Sequence, residues 1–78
     1  MNVTVYSKPD CVKCTATYKA LDKTGVNYTV IDITEDADAM AYAVGLGHVA
    51  APVVVVNRPD GSTEHWSDFR RERIQALV

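Results

Sequence analysis

A chain of 78 residues, 47% apolar and 23% charged, has the balance of an ordinary soluble domain with room for one hydrophobic core and none for an elaborate second site. Its formal net charge of −2 offers no basic field for a phosphate backbone, which argues against nucleic acid as a partner, and the one basic cluster, Arg70, Arg71 and Arg73, is broken by Glu72 and reads first as a solvated helix face. No run approaches the length of a membrane span, and Met1 leads into "NVTVY" without an apolar signal region, so no membrane is expected and the cytoplasm is the expected location.

In chain order, residues 2–6, "NVTVY", alternate polar and β-branched side chains and predict a strand. A loop carrying Pro9 follows. From Cys11 to Lys23 there is neither Gly nor Pro, and Thr17, Ala20 and Leu21 supply small or apolar positions for a helix that stops at Gly25. Residues 26–33, "VNYTVIDI", predict a second strand. Thr34 to Asp36 then offers an N-cap and first-turn acids to a second helix, whose expected inner face is Ala37, Met40, Ala41 and Val44 and whose end falls near Gly45 or Gly47. The unbroken valines of 52–56, "PVVVV", predict a third strand buried on both faces. Asp60-Gly61 reads as a hairpin tip and "TEHW" as a fourth strand. Ser67 or Asp68 is the expected cap of a last helix striped by Ile74, Leu77 and Val78.

This β-α-β-α-β-β-α order predicts one α/β domain over residues 1–78, a mixed four-stranded sheet flanked by three helices. Strands separated by a helix are expected to run parallel and the closing hairpin antiparallel. In such sheets chemistry gathers beyond the carboxyl ends of strands, where Cys11 and Cys14 fall.

A sulfur at a helix start meets unsatisfied N–H groups and the positive end of the macrodipole, which in such pairs lowers a thiol pKa from about 8.5 to about 7 or below. Cys11 is therefore the expected nucleophile. Cys14, three residues on and on the same face, is placed to resolve a mixed disulfide formed at Cys11. Lys8 and Lys13 add at most a small favourable field. Two other readings stay open. The cysteines pack as small apolar residues, or they hold a metal with His48 and His65, the only histidines. Against the metal, C-x2-C-x33-H-x16-H matches no zinc-finger spacing, and "SKPD" stands where a copper-carrier loop has a Met. No metal ligand is assigned. Pro52, opening a buried strand after Ala50 and Ala51, suggests a kink that frees the Ala51 backbone to pair with an extended substrate peptide.

The strand, "CVKC" at a helix start and "APVVVV" at 51–56 resemble the glutaredoxin branch of the thioredoxin fold. With "HWSDFRRERI" the chain resembles the NrdH-redoxin family from Val3 to Leu77. The resemblance implies a dithiol–disulfide oxidoreductase that donates electrons to the large subunit of class Ib ribonucleotide reductase and is reduced by NADPH through thioredoxin reductase. It implies Cys11 and Cys14 as catalytic residues and a redox-active Cys11–Cys14 disulfide with no bound cofactor, and nothing in the sequence demands more than a monomer. Pro52 would be the family's cis-proline. Ala51, Pro52, Val12 and Lys13, together with Trp66, Ser67, Phe69 and Arg70 of its W-S-x-F-R segment, would meet partners or shape the surface that does, while Trp66 and Phe69 read equally well as ordinary core aromatics capping a small domain. The Gly-Gly with a following polar and acidic pair that binds glutathione in glutaredoxins is absent, and "EHWSDFR" stands there. A glutathione-dependent glutaredoxin and a C-x-x-C metal-binding module remain the alternatives. Two departures from the family pattern are Asp68, where Gly is usual, and a longer 57–64 hairpin, expected to protrude.

Overall fold

The computed structural model describes all 78 residues. The elements are β1 (Asn2–Ser7), α1 (Val12–Thr24), β2 (Tyr28–Asp32), α2 (Ala37–Gly45), β3 (Val53–Asn57), β4 (Thr63–Ser67) and α3 (Arg71–Gln75). The predicted order holds, with termini moved by a residue or two except in the shorter last helix. The sheet runs β2-β1-β3-β4, with β1 and β2 parallel, β3 antiparallel to β1, and β4 antiparallel to β3.

The antiparallel run of β3 against β1 corrects the expectation that every helix-separated pair is parallel. Ser7 pairs with Asp32 and Tyr6 with Val53, so the chain leaves β2 and enters β3 at the same end of the sheet. The rule applies only when a helix carries the chain back to the far end. The nine residues of α2 do not.

Successive side chains of β3 point to opposite faces, and both faces are covered. Val54 and Val56 join Val3, Val5, Trp66, Leu21 of α1 and Ile74 of α3 in one cluster. Val53 and Val55 meet Ala43 of α2, Tyr6 and Leu46 in a thinner one. Burying each valine contributes about 1.5 kcal/mol or more, which makes β3 the centre of the core.

Helix α2 rotates away from expectation. Its buried residues are Ala39 and Ala43, whereas Met40 and Val44, assigned to the inner face, are 43% and 58% exposed. Alanines let the helix approach the sheet closely over Val53 and Val55, and the larger side chains are left at the rim. The expected cap is present, as Asp36 Oδ1 accepts the Ala39 N–H at 3.0 Å. Gly25, at φ 77°, ends α1 as predicted, where a side chain would be strained.

The last helix also differs. Arg70 is its N-cap and provides no side-chain bond, while Asp68 lies in the left-handed region at φ 73°. Neither Ser67 nor Asp68 caps it, because the chain spends 67–70 turning off the sheet edge. Ile74 is fully buried and Leu77 partly, but Val78 is 76% exposed and drops out of the expected stripe. The 57–64 hairpin closes at the opposite end of the sheet, with the Arg58 N–H bonded to Ser62 O and Gly61 at φ 88°.

Candidate active site

Strand β1 ends at Ser7, which is 4% exposed and hydrogen-bonded through Oγ to the Tyr18 hydroxyl of α1, so strand and helix are joined directly behind the loop that carries the cysteines. Tyr18 stacks on Tyr28, whose phenol burial and a bond to Asp22 push up to about 12. The Tyr28 phenol stays protonated, and the two rings act as structural bolts.

Helix α1 begins one residue later than predicted. Cys11 is its N-cap, with extended backbone at φ −113° and ψ 103°, and its carbonyl accepts the first helical N–H, from Thr15, at 3.1 Å. That geometry turns the side chain back over the helix start, where Sγ accepts the Cys14 N–H at 3.2 Å. The sulfur occupies the place of a capping oxygen, and the N–H would meet a thiolate when the pair is reduced. Here Cys11 and Cys14 are joined as a disulfide across a Cα–Cα distance of 5.2 Å. The two sulfurs are unequal. Cys14 is 2% exposed and lies on the inner stripe of α1 with Thr17 and Leu21, while Cys11 is partly open to solvent.

The Ala51–Pro52 bond is cis, as the family resemblance implied. Pro52 is buried and its carbonyl accepts the Asp68 N–H at 2.9 Å, whereas Ala51 takes part in no backbone–backbone hydrogen bond. Beside this loop lies a shallow, mostly apolar groove of about 210 Å³ between Lys8, Met40, Val44, Val49 and Ala51. Val12 and Val49 are 84% and 99% exposed, a large apolar offering for so small a domain.

The expected partner residues are not all brought to one surface. Val12, Lys13 and Ala51 lie on the elements that carry the cysteines and the cis-proline. Ser67 pairs with Val53 at the same end of the sheet. Trp66, by contrast, is 3% exposed in the larger core cluster, with the Arg73 guanidinium 5.4 Å over its ring. Phe69 also packs partly against that cluster. These two rings fix the sheet edge from within, and Arg70 is the exposed member of the segment.

Two features escaped the sequence. Lys13 and Asp68, from opposite ends of the chain, form a bidentate ion pair at 3.0 and 3.1 Å. His48 Nε2 and His65 Nδ1 meet at 2.7 Å, so the histidines considered as partners for the cysteines pair with each other. Both contacts depend on how the loops before β3 and after β4 settle, and spacing carries no signal of that.

Comparison with known proteins agrees with this geometry. The glutaredoxin family model matches residues 3–59. The glutaredoxin-like protein NrdH of Escherichia coli strain K12 is 32% identical over 77 residues, 99% of this chain and 89% of that protein. The Gene 56 protein of Mycobacterium phage D29 is 36% identical over 97% of this chain and 81% of its own. Among solved structures, NrdH-redoxin from Escherichia coli superposes with a TM-score of 0.89 at 29% identity, covering 100% of this chain and 96% of that one. The chain belongs to the glutaredoxin family, on its NrdH-redoxin side, and is a thiol–disulfide oxidoreductase with a bonded cysteine pair at the opening of α1.

Proposed function

We propose that this protein is a cytoplasmic, monomeric electron carrier that reduces the large subunit of class Ib ribonucleotide reductase and is itself reduced by NADPH through thioredoxin reductase. The observation that carries the reading is the asymmetry of the couple, an accessible Cys11 whose sulfur already accepts a helix N–H and a buried Cys14 one turn behind it. The choice of partners is supported by the likeness to NrdH along nearly the whole chain, by the "thioredoxin-like activity profile" ascribed to the Escherichia coli protein, and by the segment "EHWSDFR" where glutathione-using relatives carry their Gly-Gly.

In the reaction, the Cys11 thiolate attacks one sulfur of the partner disulfide. A Cys11–partner disulfide forms, and the second partner sulfur leaves as a thiolate and takes up a proton. Cys14 loses its proton and attacks Cys11 Sγ, which releases the first partner sulfur as a thiol and closes the Cys11–Cys14 bond. Two electrons have passed to the partner, and two from NADPH, delivered through the flavoenzyme, reopen the disulfide. The Ala51 backbone, beside Pro52, is the edge on which an extended partner segment aligns its disulfide. No other redox group is needed in the chain.

The test follows NADPH consumption during protein-disulfide reduction, first with thioredoxin reductase and then with glutathione and glutathione reductase, alongside a metal assay of the purified protein. Activity confined to the first arrangement is the expected result. Activity confined to the second makes the protein a glutathione-dependent glutaredoxin, and tight metal without turnover makes it a binding module.

A further inference from the structure

The Asp68 carboxylate performs two tasks at once. Oδ1 accepts the N–H of Phe69 at 2.7 Å and, with Oδ2, holds the Lys13 ammonium. Its backbone N–H meanwhile bonds the carbonyl of cis-Pro52. One residue thus ties the segment after β4 to the cis-proline loop and to Lys13, one of the two residues between the cysteines. It does so at φ 73°, a conformation that Gly adopts freely and Asp does not. Local bonding and the adjacent cation both hold its carboxyl below the usual range, the Phe69 N–H first and Lys13 next.

Lys13 matters because of its neighbour. A free ammonium two residues from Cys11 would stabilise the thiolate and, with it, the reduced form of the couple. We propose that Asp68 is a positioning residue of the redox centre, which holds the Lys13 ammonium off the Cys11 sulfur and thereby keeps the dithiol a stronger reductant than an unpaired lysine would allow. The inference rests on the cysteine couple itself and not on which proteins exchange electrons with it. Lys8 and Asp10, the other charges flanking Cys11 along the chain, are of opposite sign and are present in every variant below, as is Arg70.

The experiment measures thiolate absorbance of the reduced protein against pH, and the equilibrium Cys11–Cys14 disulfide plus two glutathione to dithiol plus glutathione disulfide, in wild type, Asp68→Asn, Lys13→Gln and the double variant. Asn keeps an oxygen for the Phe69 N–H and loses only the charge. Because the pair is exposed, the expected change is modest: Asp68→Asn raises the thiolate-to-thiol ratio about two- to threefold at a given pH and moves the glutathione equilibrium toward dithiol by a similar factor. High salt shrinks both effects. In the Lys13→Gln background Asp68→Asn has a clearly smaller effect, since no ammonium remains to be released. Asp68→Gly serves as the folding control, because it keeps the backbone bond to Pro52 and relieves the positive φ. It is expected to shift the titration as Asn does without lowering Tm. An unchanged titration in Asp68→Asn, or an identical shift with and without Lys13, overturns the proposal. The first makes Asp68 a turn residue only, and the second reduces it to a charge acting directly on Cys11.

Discussion

The two ends of the sheet solve the same backbone problem with different residues. At the far end the β3–β4 hairpin needs one left-handed residue and uses Gly61, at φ 88°, with its turn closed by local bonds from Arg58, Asp60 and Ser62. At the redox end Gly47, at φ 92° in the loop before β3, does the same, but the two left-handed positions nearest the cysteines and the cis-proline carbonyl are aspartates, Asp10 at φ 56° and Asp68 at φ 73°. Where only the shape of the chain matters, glycine is the inexpensive choice. Asp68 tolerates the strain less well, and its side chain has something to hold, Lys13 and the Phe69 N–H, whereas the Asp10 carboxylate has no such partner.

The sharpest test of the redox end is the resolving cysteine. Cys14→Ser is expected to cut multiple-turnover disulfide reduction on the order of 10³-fold or more. The same variant should accumulate a covalent Cys11–partner adduct that dithiothreitol releases. Non-reducing electrophoresis and intact-mass measurement follow it. Failure to trap any adduct through Cys11 removes the asymmetry on which the mechanism stands.

Next in size is the anchor of the helix that presents the couple. Cys14, Thr17 and Leu21 form the buried stripe of α1, and Thr17 Oγ1 donates to the Lys13 carbonyl at 2.8 Å. Leu21→Ala leaves a cavity in the larger cluster and should cost about 2–5 kcal/mol in urea unfolding, a large share of what a domain this small possesses. The loss is expected in stability, with the chemistry at Cys11 little altered in whatever fraction stays folded.

A smaller effect separates the two turns directly. Gly61→Ala, forced to hold φ near 88°, should destabilise by about 1–2 kcal/mol. Asp68→Gly, the reverse exchange at the other end, should not. If both lower stability equally, Asp68 holds its turn by bonds worth more than the strain, and the contrast between the ends disappears.

How much of this was legible follows from where each signal lives. The strands, the N-cap of α2, the Gly25 stop and the Asp60-Gly61 tip are written in local patterns, and the structure has them. The direction of β3 was not, because it depends on which end of the sheet α2 returns the chain to. The inner face of α2 differs from the sequence expectation because hydrophobicity favours Met40 and Val44, while close approach to the sheet favours the small Ala39 and Ala43, the latter packing on Val53 and Val55. Cys11 was read as the first helical residue, yet it acts from just outside the helix, and the distinction is what lets its sulfur cap. Trp66 and Phe69 could be recognised as a segment, but core packing and partner contact stood even for them, since the choice depends on the β3–β4 register that pairs Trp66 with Val54.

The smallest expected effect concerns protons at the redox end. His48 stands four residues before Pro52, and its ring bonds that of His65 on β4. Burial first, and then the neighbouring imidazole, lowers the His48 pKa from its ordinary 6.5. A base whose folded pKa is depressed binds its proton more readily when unfolded, so the contribution to stability is complete above the unfolded value, is lost as pH falls through it, and levels off once the folded form is protonated too. One proton can be shared as N–H⁺···N, whereas a second sets two cations against each other at a 2.7 Å contact. Melting temperature should therefore decline from pH 7.5 toward 5.5, and His48→Gln should flatten that slope. The carboxyls of Asp60 and Asp68, both held below 3.8, titrate only in more acidic solution and leave this window to His48. A His48→Gln protein with the wild-type slope would show that the imidazole contact contributes nothing to the cis-proline side of the molecule, leaving Asp68 as the link between that loop and the rest of the site.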